Sequence, residues 1–318
     1  MCTAITYATK DHYFGRTLDL EYAYRETVTV TPRNFPLFGM PRHRAIIGMA
    51  YVAEGMPLYY DAVNEAGLAM AGLNFPGNAA YVPAGKEGQN VPSFAFLPWV
   101  LGQFSTVKEA KTALKNLKIT DERFSEALPP TPLHWMIADR ESVVVVEQTT
   151  EGLQVYDNPV GVMTKNPPFP VQLFYLRNFM GVSPNPAENR FCRGLPLTEY
   201  SRGMGGLGLP GDLSSASRFV RAGFTRCNAV SGTGEEESVN QFFHILGSVE
   251  QQRGCVRLPD GYEITRYTSC CNLDRGIYYY TTYENHQITA VDMHRENLDG
   301  DSLTSYAPGQ EEKILWQN

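Results

Sequence analysis

The feature that most constrains the fold of this chain is where its strand-forming runs fall. Short stretches rich in β-branched and aromatic residues recur at Ile5 to Tyr7, Val28 to Thr31, Ala69 to Leu73, Ser142 to Gln148 and Ile277 to Tyr283. Such runs read as strands because branched and aromatic side chains pack well on a pleated surface. They occupy both ends of the chain, with helical patterns between, and they lack the regular strand and helix alternation of a doubly wound parallel sheet. An α+β layered architecture follows. Two helices are predicted. In "STVKEAKTALKNL", Thr106 and Glu109 make a capping box, and Val107, Ala110, Leu114 and Leu117 share one face. In "SVNQFFHILGSVE", Ser238 is the cap and Val239, Phe242, Phe243, Leu246 and Val249 form the apolar side. Proline and glycine clusters at Pro129 to Pro132, Pro167 to Pro170 and Gly203 to Gly211 mark loops. With no internal repeat and no low-complexity linker, residues 1–318 are expected to form one domain.

The 43% hydrophobic content is ample for a substantial core at this length. Charged residues are sparse at 19%, the net charge is −7 and the basic residues are scattered, so no footprint for nucleic acid exists. Lys10, Asp11 and His12 interrupt the first twenty residues, and no segment approaches the roughly 18 apolar residues of a membrane span. A cytoplasmic protein without membrane attachment is expected. The six cysteines show neither a disulfide framework nor paired zinc spacing, and adjacent Cys270 and Cys271 read as two faces of one strand. The histidines include no HExxH pair, so no metal is expected. "GMGGLG" at 203–208 satisfies the GxGxxG spacing, but Tyr200-Ser201-Arg202 before it and Leu209-Pro210-Gly211 after it supply neither the strand nor the helix that would hold a pyrophosphate. No cofactor is expected.

The serine nucleophile elbow GxSxG is absent, which leaves Cys2 as the candidate nucleophile. A small residue at position 2 usually allows Met1 to be removed, and the new first residue then carries both a thiol and a free α-amine. A thiol titrates near about 8.5 and an α-amine near about 7.7 to 8.0, so a small push yields a thiolate and a proton shuttle on one residue. That pair suits acyl transfer from an amide through a thioester without a histidine. Arg16 and Asp19 in "FGRTLDLEY" lie within one turn of the first strand. The guanidinium can lower the thiol pKa while the carboxylate holds the ammonium.

The blocks "MCTAIT", "FGRTLDLEY", "NEAGLAMAGLNFPG", "LHWMIADR", "SRGMGGLGLPGDLSSASRFVRA", "FFHILGSVEQ" and "GIYYYTTYENHQI" occur in this order across essentially the whole chain. Together they resemble the choloylglycine hydrolase family, and within it the bile salt hydrolases of lactic acid bacteria and enterococci. The resemblance implies an N-terminal nucleophile hydrolase: a four-layer αββα sandwich of two stacked antiparallel sheets, active once Met1 is removed. It places the nucleophile on Cys2, supporting groups on Arg16 and Asp19, an oxyanion-hole residue on Asn74 and a second arginine on Arg218. Neighbouring Arg221 reads as a packing or surface residue. Penicillin-preferring relatives often carry tyrosine where this chain has Asn74, which favours conjugated bile salts as the small-molecule substrate. Homotetramers are implied by resemblance as well.

One position departs from the family pattern. Where relatives read "LTNNP" or "LTNSP", this chain reads "MTKNP", placing Lys165 at the asparagine position and Asn166 one residue later. A one-residue shift along a strand turns a side chain to the other face, so Asn166 is not expected to replace the missing amide. Lys165 would repel the Cys2 ammonium and favour the thiolate, and impaired or altered hydrolysis is expected. For the steroid, a broad apolar pocket is expected, with Leu18, Tyr60, Leu128 and Leu133 as lining residues by alignment. Three readings stay open: a bile salt hydrolase, a penicillin V acylase or N-acyl amide hydrolase, and a catalytically weak bile-acid-binding relative.

Overall fold

In the computed structural model, which describes residues 2–86, 88–309 and 311–318, the strand runs of the sequence fall into two large antiparallel sheets. The first half of the chain supplies β1 (Cys2–Ala8), β2 (His12–Leu20), β3 (Thr27–Thr31), β4 (Ile46–Ala53), β5 (Met56–Asn64) and β6 (Ala69–Asn74). An excursion follows through β7 (Gln89–Pro92), α1 (Ser93–Gln103), α2 (Val107–Leu114) and β8 (Leu117–Thr120). Next come β9 (Leu133–Ala138), β10 (Val143–Thr149), β11 (Gly152–Asp157), β12 (Val162–Thr164) and α3 (Phe169–Tyr175). A long arm leads to α4 (Ser215–Asn228) and α5 (Glu235–Gly247). The chain closes with the ribbon β13 (Arg257–Leu258) and β14 (Gly261–Tyr262), then β15 (Ile264–Asn272), β16 (Ile277–Thr282), β17 (Asn285–Asp292) and β18 (Thr304–Tyr306).

The six-stranded sheet runs β12-β1-β2-β15-β16-β17 and the eight-stranded sheet β11-β10-β9-β6-β5-β4-β3-β18. They stack face to face, and Ala4, Phe14 and Leu18 of one meet Val63, Ala71, Leu73 and Met136 of the other in a buried cluster. Helices α4 and α5 cover the outer face of the first sheet by packing on β1, β2, β12 and β15. On the outer face of the second, Phe96, Trp99 and Val107 of α1 and α2 pack on Met70, Trp135 and Ile137. The layers are therefore αββα. No helix among the described residues is long and apolar enough to cross a membrane.

Local corrections follow from packing. The predicted helix over 105–117 stops at Leu114, and Leu117 opens β8 as a buried residue of the outer core. Thr106 does accept the Glu109 N–H, but the Glu109 carboxylate reaches the N–H of Ser105 rather than that of Thr106. Helix α5 begins three residues before Ser238, at Glu235, because three successive glutamates suit the positive end of the helix dipole. Ser238 sits in the second turn and donates back to the Gly234 carbonyl at 2.8 Å. Pro170, expected in a loop, lies in the first turn of α3, where its missing N–H costs nothing. Cys270 and Cys271 do alternate along β15, yet both are buried, since their sheet is covered on both faces. The glycine run contains only a 3₁₀ turn, Met204–Gly206, and the next α-helix, α4, starts at Ser215.

Candidate active site

Cys2 opens β1 and lies directly opposite Leu18 of β2. Opposed residues of an antiparallel ladder share a face, so Cys2, Ala4, Arg16 and Leu18 point into the inter-sheet layer and Thr3, Thr17 and Asp19 point to the helices. The thiol is buried, with Sγ 3.9 Å from the Asp19 carbonyl oxygen.

Arg16 crosses from one sheet to the other. Strands β5 and β6 pair only from Asp61–Ala71 to Val63–Ala69, and β5 is bulged at Tyr60, which has no partner between Met49–Asp61 and Ala50–Tyr59 of the β4–β5 ladder. The guanidinium fills the resulting gap: Nη1 donates to the carbonyls of Gly72 at 2.6 Å and Tyr60 at 3.3 Å, while Nε donates to that of Thr17 at 3.1 Å. Burial disfavours its charge, but the Cys2 thiolate, Tyr267, Asp61 and Asp19 outweigh burial and hold its pKa above the usual arginine value.

The same gap orients Asn74. The N–H of Phe75 donates to the Pro132 carbonyl at 2.7 Å on the β9 side. Backbone groups alternate sides along a strand, so the amide of Asn74 points away from β9, toward the opening that Arg16 occupies. Its side chain follows the face of Met70 and Gly72. Phe75 stacks on buried His134 with ring centroids 4.3 Å apart, and His134 Nδ1 lies 3.0 Å from Glu147 Oε1, which fixes this strand end.

Thr164, the last residue of β12, pairs with Thr3. One further step of the register sets Lys165 opposite Cys2. Its ammonium lies 4.0 Å from Glu263 Oε1 just before β15, both side chains largely buried, so the pair reaches over the ends of β1 and β2. Asn166 is engaged elsewhere: Nδ2 donates to the Pro76 carbonyl at 2.9 Å and Oδ1 accepts from Asn78 Nδ2 at 2.8 Å, tying down the loop after Asn74.

From the helix side, Arg218 Nη2 of α4 donates to the Cys2 carbonyl at 3.1 Å. Arg218 is fully buried, and burial pulls its pKa down against the opposing influence of Asp19 and Cys2. Asp19 accepts from Thr17 Oγ1 at 3.2 Å and from Thr265 Oγ1 at 2.7 Å. Arg221 binds the carbonyls of Ser248, Pro210 and Asp212, a loop-tying role that matches its reading as structural.

These charges set the state of the sulfur. Burial raises the Cys2 pKa, but Arg16, then Lys165 and then the terminal ammonium overcome it, against a smaller opposing effect of Asp19, and the thiol titrates below its ordinary value. Cys270 and Cys271 are as buried, with no cation beside them, and burial drives both thiols well above the ordinary value. The cations therefore decide which buried cysteine is reactive.

Of the expected steroid-lining residues, Leu18 is a 2% exposed member of the inter-sheet core. Tyr60 stands at the Arg16 gap, and Leu133 is half-buried beside Asn74 in the β6–β9 ladder. Leu128 sits half-buried in the turn it forms with Ser125. Sequence reasoning missed Thr265, Glu263 and Asp61, which reach the site only through pairing and sheet stacking.

The αββα fold with a cation-flanked thiol at the start of its first strand defines a cysteine N-terminal nucleophile hydrolase. Residues 2–306 match the choloylglycine hydrolase family of linear amide C–N hydrolases. Among relatives, a bile salt hydrolase/transferase of Lactiplantibacillus plantarum is 52% identical over 96% of both chains. One of Clostridium perfringens is 42% identical over 96% of both. The crystal structure of a variant conjugated bile acid hydrolase from C. perfringens superposes with a TM-score of 0.92 at 39% identity, covering 100% of both chains. A penicillin V acylase from Agrobacterium tumefaciens shares the fold, with a TM-score of 0.76 at 20% identity over 97% of this chain and 92% of that one. The chain belongs to the choloylglycine hydrolase family, and it is an enzyme that cleaves linear amides.

Proposed function

We propose that the protein hydrolyses the amide bond of glycine- or taurine-conjugated bile acids, with Cys2 as nucleophile after removal of Met1. The observation that carries this reading is the buried Cys2 thiol, pulled below its ordinary pKa by Arg16 and Lys165, in a chain 52% identical to a bile salt hydrolase/transferase. The thiolate attacks the carbonyl carbon, and the π electrons move to oxygen. The N–H of Asn74, turned away from β9, is the donor assigned to that oxyanion in this reading. Collapse breaks the C–N bond, the departing amine takes a proton from the α-ammonium of Cys2, and a thioester remains. Water then attacks the thioester, gives a proton to the free α-amine, and releases the bile acid and the thiolate. Asp19 holds the α-amine, and Arg218 fixes the Cys2 backbone through its carbonyl.

The deciding experiment compares processed protein on glycocholate, taurocholate and penicillin V. Faster turnover of the bile salts supports the proposal, and faster turnover of penicillin V overturns it. The penicillin reading rests on a 20% identical neighbour and is weaker. A binding-only relative is motivated by Lys165 alone.

Lys165→Asn checks that point. Removing the cation raises the thiol pKa, so the acid limb of kcat/KM moves to higher pH. An added neutral donor at the oxyanion raises kcat by about tenfold or more, given that such donors contribute roughly 10²–10³. Turnover and pH profile both unchanged in the variant exclude a role for Lys165.

Assembly into homotetramers has a candidate contact in α3 and the arm between α3 and α4, which expose Phe174 of the helix and Met180, Phe191, Tyr200 and Leu207 of the arm. Light scattering on the purified protein is expected to give four chains, and a monomer at micromolar concentration excludes this assembly.

A further inference from the structure

Asp61 lies on β5 next to Tyr60, whose carbonyl takes the Arg16 guanidinium, and it is fully buried between the sheets. Three hydroxyls from the opposite sheet converge on it. Tyr267 Oη donates to Oδ1 at 2.5 Å, and Ser269 Oγ and Tyr278 Oη each donate to Oδ2 at 2.8 Å. Ser269 Oγ also accepts the backbone N–H of Arg16 at 3.1 Å, so the same group ties the carboxylate to the Arg16 backbone. The other titratable or charged groups facing Asp61 are Arg16 on β2, Tyr267 and Cys271 on β15, and Tyr278 on β16. Arg16 is the only cation among them.

A buried guanidinium needs an anion throughout the reaction cycle, since an uncompensated charge away from water is strongly disfavoured. Burial pushes the Asp61 carboxyl up, against which Arg16 and the three hydroxyl donors hold it as a carboxylate, and in the resting enzyme it serves Arg16 together with the Cys2 thiolate and, more weakly, Asp19. When sulfur attacks, the S–C bond forms, the C–N bond breaks, and the amine departs with the proton of the α-ammonium. The thioester sulfur is then neutral, and the thiolate no longer balances Arg16. We propose that Asp61 is the positioning residue of this reaction: the standing counter-ion that holds Arg16 in the β5–β6 gap while the nucleophile is acylated. This rests on Cys2 being the nucleophile, but not on the identity of the acyl group.

Two consequences follow for Asp61→Asn, which keeps the shape and the acceptor oxygen but removes the charge. With an opposing anion gone, the thiolate is favoured and the pH midpoint of Cys2 alkylation falls. With only the weaker influence of Asp19 left to balance Arg16 in the acyl-enzyme, kcat falls while KM changes little. The experiment follows iodoacetamide alkylation of processed protein against pH, read on the N-terminal peptide by mass spectrometry because Cys192, Cys227 and Cys255 are exposed. Asp61→Asn is expected to alkylate several-fold to about tenfold faster on the acid side of the midpoint, and kcat on glycocholate is expected to drop by about tenfold. Tyr278→Phe removes one of the three donors that keep Asp61 ionised against burial, so the carboxyl is in part protonated and the midpoint is expected to fall by less, which keeps the test open should Asp61→Asn not accumulate in folded form. Thr31→Val, which removes a buried hydroxyl bonded to Tyr59 instead, is the control and leaves the midpoint in place. A midpoint that stays or rises in the Asp61 and Tyr278 variants overturns the proposal. Because alkylation needs no bile salt, a wrong substrate assignment would leave this readout intact.

Discussion

Alanine at position 2 is expected to remove amide hydrolysis while the protein still folds. Cys2 is 2% exposed, and losing one sulfur from the edge of a large core destabilises by about 1 kcal/mol, well within what a domain tolerates. Activity is a different matter. Of the other described cysteines, Cys270 and Cys271 are buried with thiols driven well above the ordinary value, and Cys192, Cys227 and Cys255 are exposed rather than enclosed between the sheets, so no second nucleophile is expected to take over. Removal of an enzyme's nucleophile lowers kcat by on the order of 10⁴ or more, leaving only what binding and the oxyanion donors supply. The measurement is release of glycine or taurine by protein whose intact mass shows that Met1 has gone. A retained Met1 would acylate the α-amine of Cys2 and silence the parent too. Release by processed Cys2→Ala as fast as by the parent sinks the proposed chemistry.

Arg16→Gln has the second largest expected effect, because this side chain serves two structures. It is the largest influence lowering the Cys2 pKa, and a cation beside an acidic group is worth about one to three pH units. The acid limb of kcat/KM is expected to move up by that amount, so activity near neutrality falls by roughly 10²-fold. The sign is fixed: without the cation the thiol keeps its proton to higher pH, and raising the pH restores part of the rate. The substitution also leaves Asp61 without its charge partner and the carbonyls of Tyr60 and Gly72 without a full donor set, a change that costs about 3–5 kcal/mol for a broken buried pair. Thermal unfolding alongside the pH profile separates the two effects. A destabilised variant with an unmoved acid limb contradicts the assigned role of Arg16.

Much of this site was legible because it is local. Cys2, Arg16 and Asp19 lie on one hairpin, where register alone decides that two of them face one side and the third the other. Asn74 was named through the family resemblance, and which of its atoms would meet an oxyanion belongs to the proposed mechanism. That its backbone N–H faces the site depends on ladder parity and on a missing stretch of β5–β6 pairing, neither of which leaves a mark in composition or spacing. Asp61 and Glu263 were invisible, since each meets its partners only after two sheets stack or two distant strands align. The fold shows the same division. Amphipathic α2 could be read from its apolar stripe, whereas α1, apolar on nearly every side and containing Pro98, has no stripe to read. Ser238 misled because serine also bonds back to its own helix, and the charge of Glu235 to Glu237 decided the true start.

The interrupted seam between β5 and β6 has one more consequence. The arginine that activates the sulfur is also the piece that closes the hydrogen bonding of the facing sheet, so neither sheet can carry the reactive centre by itself. A half-assembled chain, lacking the cations that pull the thiol down, is therefore expected to hold an ordinary cysteine. Only when the two layers have met does the sulfur become dangerous to amides, by which time it is already enclosed.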